Sequence, residues 1–115
     1  MESIIRAKSL CFAKRIVKLY KYLSTEKNEY ILSKQILRSG TGIGANVSEA
    51  LCGISRKDFT AKMYIAFKES AETLYWLELL FSSEYITKNE YRSLYKDCNE
   101  LKKMLTSITK SAKYN

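Results

Sequence analysis

Apolar residues recur along this chain at steps of three and four, and no segment alternates with the period of two that a half-buried strand requires. Ile5, Phe12, Ile16, Leu19 and Leu23 fall on one face and predict a helix over about 3–23. The polar connection Ser24 to Asn28 is short, which makes the first two helices antiparallel neighbours. Leu32, Ile36, Ser39, Ile43, Val47, Ala50/Leu51 and Ile54 then form one continuous stripe, predicting a long helix over 28–54. Ser55 and Asp58 have the spacing of a capping-box-like turn and open a third helix over 56–83, with Phe59, Met63, Ala66/Phe67, Ser70, Leu74, Leu77 and Phe81 as its core stripe. Thr87 and Glu90 form a regular capping box ahead of a fourth helix over 88–110. Its seam (Tyr91, Leu94, Cys98, Leu101, Leu105, Ile108, Ala112) repeats strictly at three and four, and the tail from Lys110 to Asn115 is expected to fray. Four helices with one apolar face each and short loops predict an all-α fold: an antiparallel up-down-up-down four-helix bundle, in one domain over 1–115.

Glycines at 40, 42 and 44 follow the aliphatic run from Tyr30 to Leu37, an order that mimics strand, phosphate loop and helix. The absence of later strand-like segments, of a second glycine-rich turn, and of length for a doubly wound sheet all argue against that fold. A glycine within a helix costs roughly 1 kcal/mol against alanine. Three of them therefore point to close backbone approach. Beside the apolar stripe runs a small and polar one: Gln35, Arg38, Gly42, Asn46, Glu49 and Gly53. Antiparallel packing across the Gly53–Ser55 turn pairs positions whose numbers sum to about 110. This register sets Arg38 opposite Glu72, Ser39 opposite Ala71, Gly40 opposite Ser70 and Gly42 opposite Lys68. Arg38 should then contact Glu72 or Glu69, with Asn46 and Glu49 satisfying groups nearer the turn. A ligand or nucleic-acid site lined by Arg38 and Glu49 is the functional alternative to this structural role.

The third helix carries a second apolar set: Tyr64, Ile65, Tyr75, Trp76, Leu79 and Leu80. A helix apolar on more than one face needs more than one partner surface. Deeper burial inside the single bundle is one reading; because a bundle this small has few fully enclosed helices, a homo-oligomer is expected, with Tyr75, Trp76, Leu79 and Leu80 near the subunit contact.

The 115 residues include no proline, four glycines and no histidine. Without histidine there is no Ser-His or Cys-His nucleophile, and the Glu-x-x-His pattern of di-iron bundles cannot exist. A small enzyme or metal site would have to use Glu49, Glu69, Glu72 and Glu78; no catalytic residue, metal ligand or cofactor is expected. Cys11, Cys52 and Cys98 are widely separated and read as small buried hydrophobes in a reducing compartment. The charged start does not resemble a signal peptide and no apolar run is long enough to span a bilayer, so the expectation is a soluble, cytoplasmic protein with no membrane partner.

The net charge of +8 is unevenly spread. Residues 1–23 carry +5, residues 24–84 carry −1 and residues 85–115 carry +4. Lys14, Arg15, Lys18 and Lys21 on the first helix, helped by Lys102 and Lys103 on the fourth, are the candidate polyanion surface; a merely solvated face is the other reading. Tyr20, Tyr22, Tyr91 and Tyr95 lie among lysines, where bases could stack or a tyrosine could edge the core.

The run Arg38-Ser39-Gly40-Thr41-Gly42-Ile43-Gly44-Ala45-Asn46-Val47-Ser48-Glu49-Ala50 resembles the hallmark of a small bacterial four-helix bundle family encoded within intervening sequences of 23S ribosomal RNA genes. Relatives of that family include the accessory variability protein of diversity-generating retroelements. The resemblance continues through Asp58-Phe59, Ala66-Phe67-Lys68-Glu69-Ser70-Ala71-Glu72-Thr73 and Tyr75-Trp76-Leu77-Glu78-Leu79-Leu80, nearly the whole chain. Gly42 departs mildly from it, since the family more often has serine there. The resemblance implies ring-like homopentamers with basic surfaces, association with RNA or DNA and, in a retroelement context, with a reverse transcriptase. Combined with the residues, it predicts a non-enzymatic, nucleic-acid-associated bundle that meets phosphates with little sequence preference. The alternative is a protein-interaction scaffold that binds no nucleic acid.

Overall fold

The computed structural model describes residues 3–114, with side chains described as far as residue 112. Four helices follow in order: α1 (Ile4–Thr25), α2 (Leu32–Leu51), α3 (Arg56–Ser82) and α4 (Lys88–Tyr114). Each packs on its neighbours in the chain and α4 returns to α1, the closed circuit of an up-down-up-down bundle. Among the described residues there is no strand. The Met1–Glu2 start and Asn115 lie outside them; α4 itself continues past the expected end at 110 as far as Tyr114.

Local capping sets the helix ends. Ser55 accepts the Asp58 N–H at 3.0 Å to start α3. At α4 the capping box is reciprocal: the Glu90 N–H donates to the Thr87 hydroxyl at 3.2 Å and the Thr87 N–H to the Glu90 carboxylate at 2.9 Å. After α3, Glu84 sits at φ 66 while the Tyr85 N–H reaches the Leu80 carbonyl and the Glu84 N–H the Phe81 carbonyl. This is a Schellman closure, with glutamate where glycine is usual.

α2 begins four residues later than its periodicity predicts and ends three earlier. Asn28 turns the chain at φ 52, and the Glu29 N–H reaches back to the Leu23 carbonyl. The Glu29 carboxylate then accepts from the Ile31 and Ser33 N–H groups at 3.2 and 2.7 Å, capping the helix from outside it. Because the helix stops at Leu51, the last members of its expected stripe leave the core: Leu51 is 45% exposed and Ile54 99%.

Most of the predicted stripes enter the core, with Phe59, Phe67 and Phe81 of α3 only half-buried at its edge. Ile5, Phe12, Ile16, Leu19 and Leu23 of α1 are buried, as are Ile36, Ile43, Val47 and Ala50 of α2. They meet Met63, Ala66, Leu74 and Leu77 of α3 and Leu94, Cys98, Leu101 and Leu105 of α4. Full burial of one such aliphatic contributes about 1.5–3 kcal/mol. The polar groups within this interior are paired: the Ser39 and Thr73 hydroxyls lie 2.9 Å apart, and the Cys98 thiol donates to the Ser70 carbonyl at 3.5 Å.

The glycines of α2 serve two neighbours. A Cβ at Gly40 would lie 2.8 Å from both γ-carbons of Ile16, and one at Gly44 3.3 Å from the Ser9 hydroxyl, so these two admit α1. A Cβ at Gly42 would instead lie 3.0 Å from a carboxylate oxygen of Glu69, on α3. The expected pairing of Gly40 with Ser70 is therefore corrected. Positions 40 and 44 share a face one turn apart, whereas position 42 lies across the helix from them.

Candidate nucleic-acid interface

The inward stripe of α1 sends Lys14 and Lys21 to its outer side, and Lys18 lies over the shallow groove toward α4 beside Tyr22 and Glu90. All three are exposed, and among the described residues none has an anionic partner. Arg15 is different. Its guanidinium donates to the Asp97 carboxylate at 2.7 Å, to the Ser93 hydroxyl at 2.9 Å and to the Ser93 carbonyl at 3.3 Å, so it fastens α1 to α4. Lys8 does the same toward Glu100 at 2.5 Å, and that hydrogen bond and charge raise the pKa of Lys8 above the ordinary lysine value.

Lys102 and Lys103 do not act as a pair. Lys102 continues the line of Tyr91, Tyr95 and Cys98, the shoulder of α4 that meets α3, and is half-buried. Lys103 turns outward and is exposed. Sequence reasoning passed over other cations on the face of Lys103: Lys88, Arg92, Lys96 and Lys110, all exposed. Their spacing with Lys103, by four and then by seven residues, was the available signal.

The polar stripe of α2 meets α3. Arg38 donates to Glu72 and, at 3.3 Å, to Glu69, while the Trp76 indole N–H donates to the same Glu72 oxygen at 3.0 Å. Glu49 pairs with Lys62 at 3.5 Å. Asn46 turns back to its own helix, donating to the Gly42 carbonyl at 2.8 Å. Ser39 meets Thr73 rather than Ala71, a shift of two positions from the expected register. Glu69, Glu72 and Glu49 are thus each engaged by a cation, and Glu78 is exposed. Among the described residues no three Cys, Asp or Glu side chains converge as a metal site would need.

On the outer side of α3, Tyr64, Ile65 and Tyr75 are 40–57% exposed, with Trp76 and Leu79 half-buried beside them. Leu80 belongs elsewhere: it is 0% exposed and part of the protomer's own core. One step round the helix separates it from Leu79, enough to turn it inward. Of the tyrosines set among lysines, Tyr22, Tyr91 and Tyr95 are engaged within the chain. Tyr91 stacks on Phe81 with ring centroids 4.7 Å apart and leans on Tyr95, and Lys27 sits over the ring of Tyr22. Of the cysteines, only Cys98 is buried, which raises its thiol to about 12; Cys11 and Cys52 are exposed, correcting the expectation that all three are interior. No helix among the described residues is long and apolar enough to cross a membrane.

Residues 1–107 match the model of the 23S rRNA-intervening sequence protein family. The chain belongs to that family. A crystal structure of a protein of unknown function from the S23 ribosomal protein family of Bacteroides thetaiotaomicron is similar to it, at 55% identity and a TM-score of 0.92. The match covers 93% of this chain and 99% of that one. Comparison with curated proteins returns no match. The two share one overall fold, the four-helix frame described above.

Proposed function

We propose that this member of the 23S rRNA-intervening sequence protein family is a non-enzymatic, cytoplasmic bundle protein that assembles with copies of itself, as a pentamer, and associates with RNA or DNA through phosphate contacts. One observation carries the reading: Lys14, Lys18 and Lys21 stand exposed with no anionic partner among the described residues, while Glu69, Glu72, Asp97, Glu100 and Glu49 are each engaged by a cation. Unneutralised cations on a rigid helix attract a polyanion and release its counterions on contact. Nothing in these side chains reads base edges, so binding is sequence-tolerant. Gel shifts with RNA and DNA duplexes across a salt series test it. Retention should weaken steeply as salt rises, and Lys14, Lys18 and Lys21 all changed to Glu should weaken it further at fixed salt. Arg15 is left intact because it ties α1 to α4. No retention at low salt overturns the reading.

The exposed Tyr64, Ile65 and Tyr75 favour a second reading, a protein-interaction scaffold. Such a scaffold would retain neither duplex at any salt.

A further inference from the structure

We propose that the outward face of α4 is the track along which this protein holds a nucleic-acid backbone, an inference that rests on the nucleic-acid reading above and locates its main contact away from α1. Lys88, Arg92, Lys96, Asn99, Lys103, Thr106 and Lys110 step along the helix by four, four, three, four, three and four. That spacing keeps them on one side, opposite the buried Leu94, Cys98, Leu101 and Leu105. The five cations are exposed, and none has an anionic partner among the described residues.

The helix sorts its charges. Of its three acids, Glu90 and Asp97 lie off this face and Glu100 borders it, and all are occupied: Glu90 accepts the Thr87 N–H, Asp97 takes Arg15 and Glu100 takes Lys8. α1 therefore neutralises Asp97 and Glu100, Glu90 is held in its own capping box, and the five cations keep no anionic partner among the described residues. A face that served only solubility would intersperse both signs, because like charges four residues apart, as in Lys88–Arg92 and Arg92–Lys96, weaken a helix. A bound polyanion removes that penalty.

The shape and chemistry of the stripe name the partner. From Lys88 to Lys110 it runs straight for about 33 Å, close to one turn of a duplex at roughly 34–36 Å. Arg92 offers a planar fork that a phosphate can accept from at two points, and the lysines offer point charges. Asn99 and Thr106 add neutral polar groups of the kind that contact phosphate or sugar. A membrane surface fits less well: an interfacial helix buries apolar side chains beside its cations, and this stripe has none.

The test compares the full-length protein with two variants: Arg92, Lys96, Lys103 and Lys110 all changed to Gln on α4, and Lys14, Lys18 and Lys21 all changed to Gln on α1. Circular dichroism checks that each folds. The probes are an RNA duplex, a DNA duplex of equal length, and vesicles containing phosphatidylserine. The α4 variant should lose at least about 100-fold in affinity at 0.1 M salt and flatten the log–log salt dependence by about 3–4; the α1 variant should change the slope less. Loss on either duplex supports the track, and the ratio between the two identifies the polymer. If the α4 variant binds like the parent while the α1 variant does not, the track is overturned and the nucleic-acid reading stands. If the parent binds neither duplex at low salt, both fall. If it binds vesicles alone, the face is a membrane surface and the track is likewise overturned.

Discussion

Arg38 of α2 closes on Glu72 of α3, and the oxygen that receives its guanidinium also receives the indole N–H of Trp76. Two donors, one from each helix, share one acceptor, with Glu69 at 3.3 Å completing the cluster. The carboxylates are less exposed than the arginine: 19% for the Glu69 side chain and 36% for Glu72, against 54%. Removing Arg38 leaves two neighbouring anions facing each other without their cation. Solvent reaches the site, so Arg38→Ala should cost only about 1 kcal/mol of unfolding free energy, with duplex binding unchanged. Urea denaturation and gel shifts on the same preparation check this; lost binding at undiminished stability would assign Arg38 to a ligand site instead.

Glycines two residues apart in α2 should respond to alanine with opposite signs. At Gly40 the new methyl meets the branched body of Ile16 at 2.8 Å, and overpacking of about 1–3 kcal/mol outweighs the helix-propensity gain of about 1 kcal/mol. At Gly42 it meets the flexible end of Glu69 at 3.0 Å, which can swing aside. Gly42→Ala should therefore be neutral or stabilising by up to about 1 kcal/mol. Thermal melts of the two variants decide it, and Gly40→Ala should cost less in an Ile16→Ala background, which lacks both γ-carbons.

Burial lifts the Cys98 thiol to about 12 from an ordinary 9.0. Since the folded value is the higher one, the contribution of the neutral thiol is fully present below pH 9 and is lost as pH climbs from there toward 12. Stability should fall between pH 8 and pH 10 more steeply in the parent than in Cys98→Ala, whatever their difference at pH 8. In the native protein, a thiol reagent at pH 8 should label Cys11 and Cys52 quickly and Cys98 only on unfolding.

The half-buried Leu79 lies beside exposed Tyr75 on the outer side of α3. Leu79→Glu places a charge on that face without entering the core that Leu80 fills. Light scattering should find an oligomer for the parent at micromolar concentration and a smaller species for the variant. A monomeric parent would end the oligomer proposal, and an oligomer indifferent to Leu79→Glu would move the contact to another face.

What the chain determines by itself is what depends on neighbours a few residues away. The Thr87–Glu90 box, the Ser55 cap and the strict seam from Leu94 to Leu105 are local relations, and they appear where their spacing puts them. The contact of Arg38 with Glu72 and Glu69 was also legible, because a short turn after α2 leaves little freedom in the register across it. Turn detail was less so. Glu29 caps α2 from outside, through a chain reversal at Asn28 that no periodicity encodes.

Only the tertiary structure decided how each helix rotates about its own axis against two neighbours. That rotation buries Leu80 and leaves Leu79 beside solvent, and it turns Gly40 to α1 and Gly42 to α3. It also withdraws Arg15 from the cationic surface, because Asp97 and Ser93 stand across the seam. A helical period specifies which residues share a face. Which face meets which neighbour is set by close packing of all four helices at once, and no one segment carries that information.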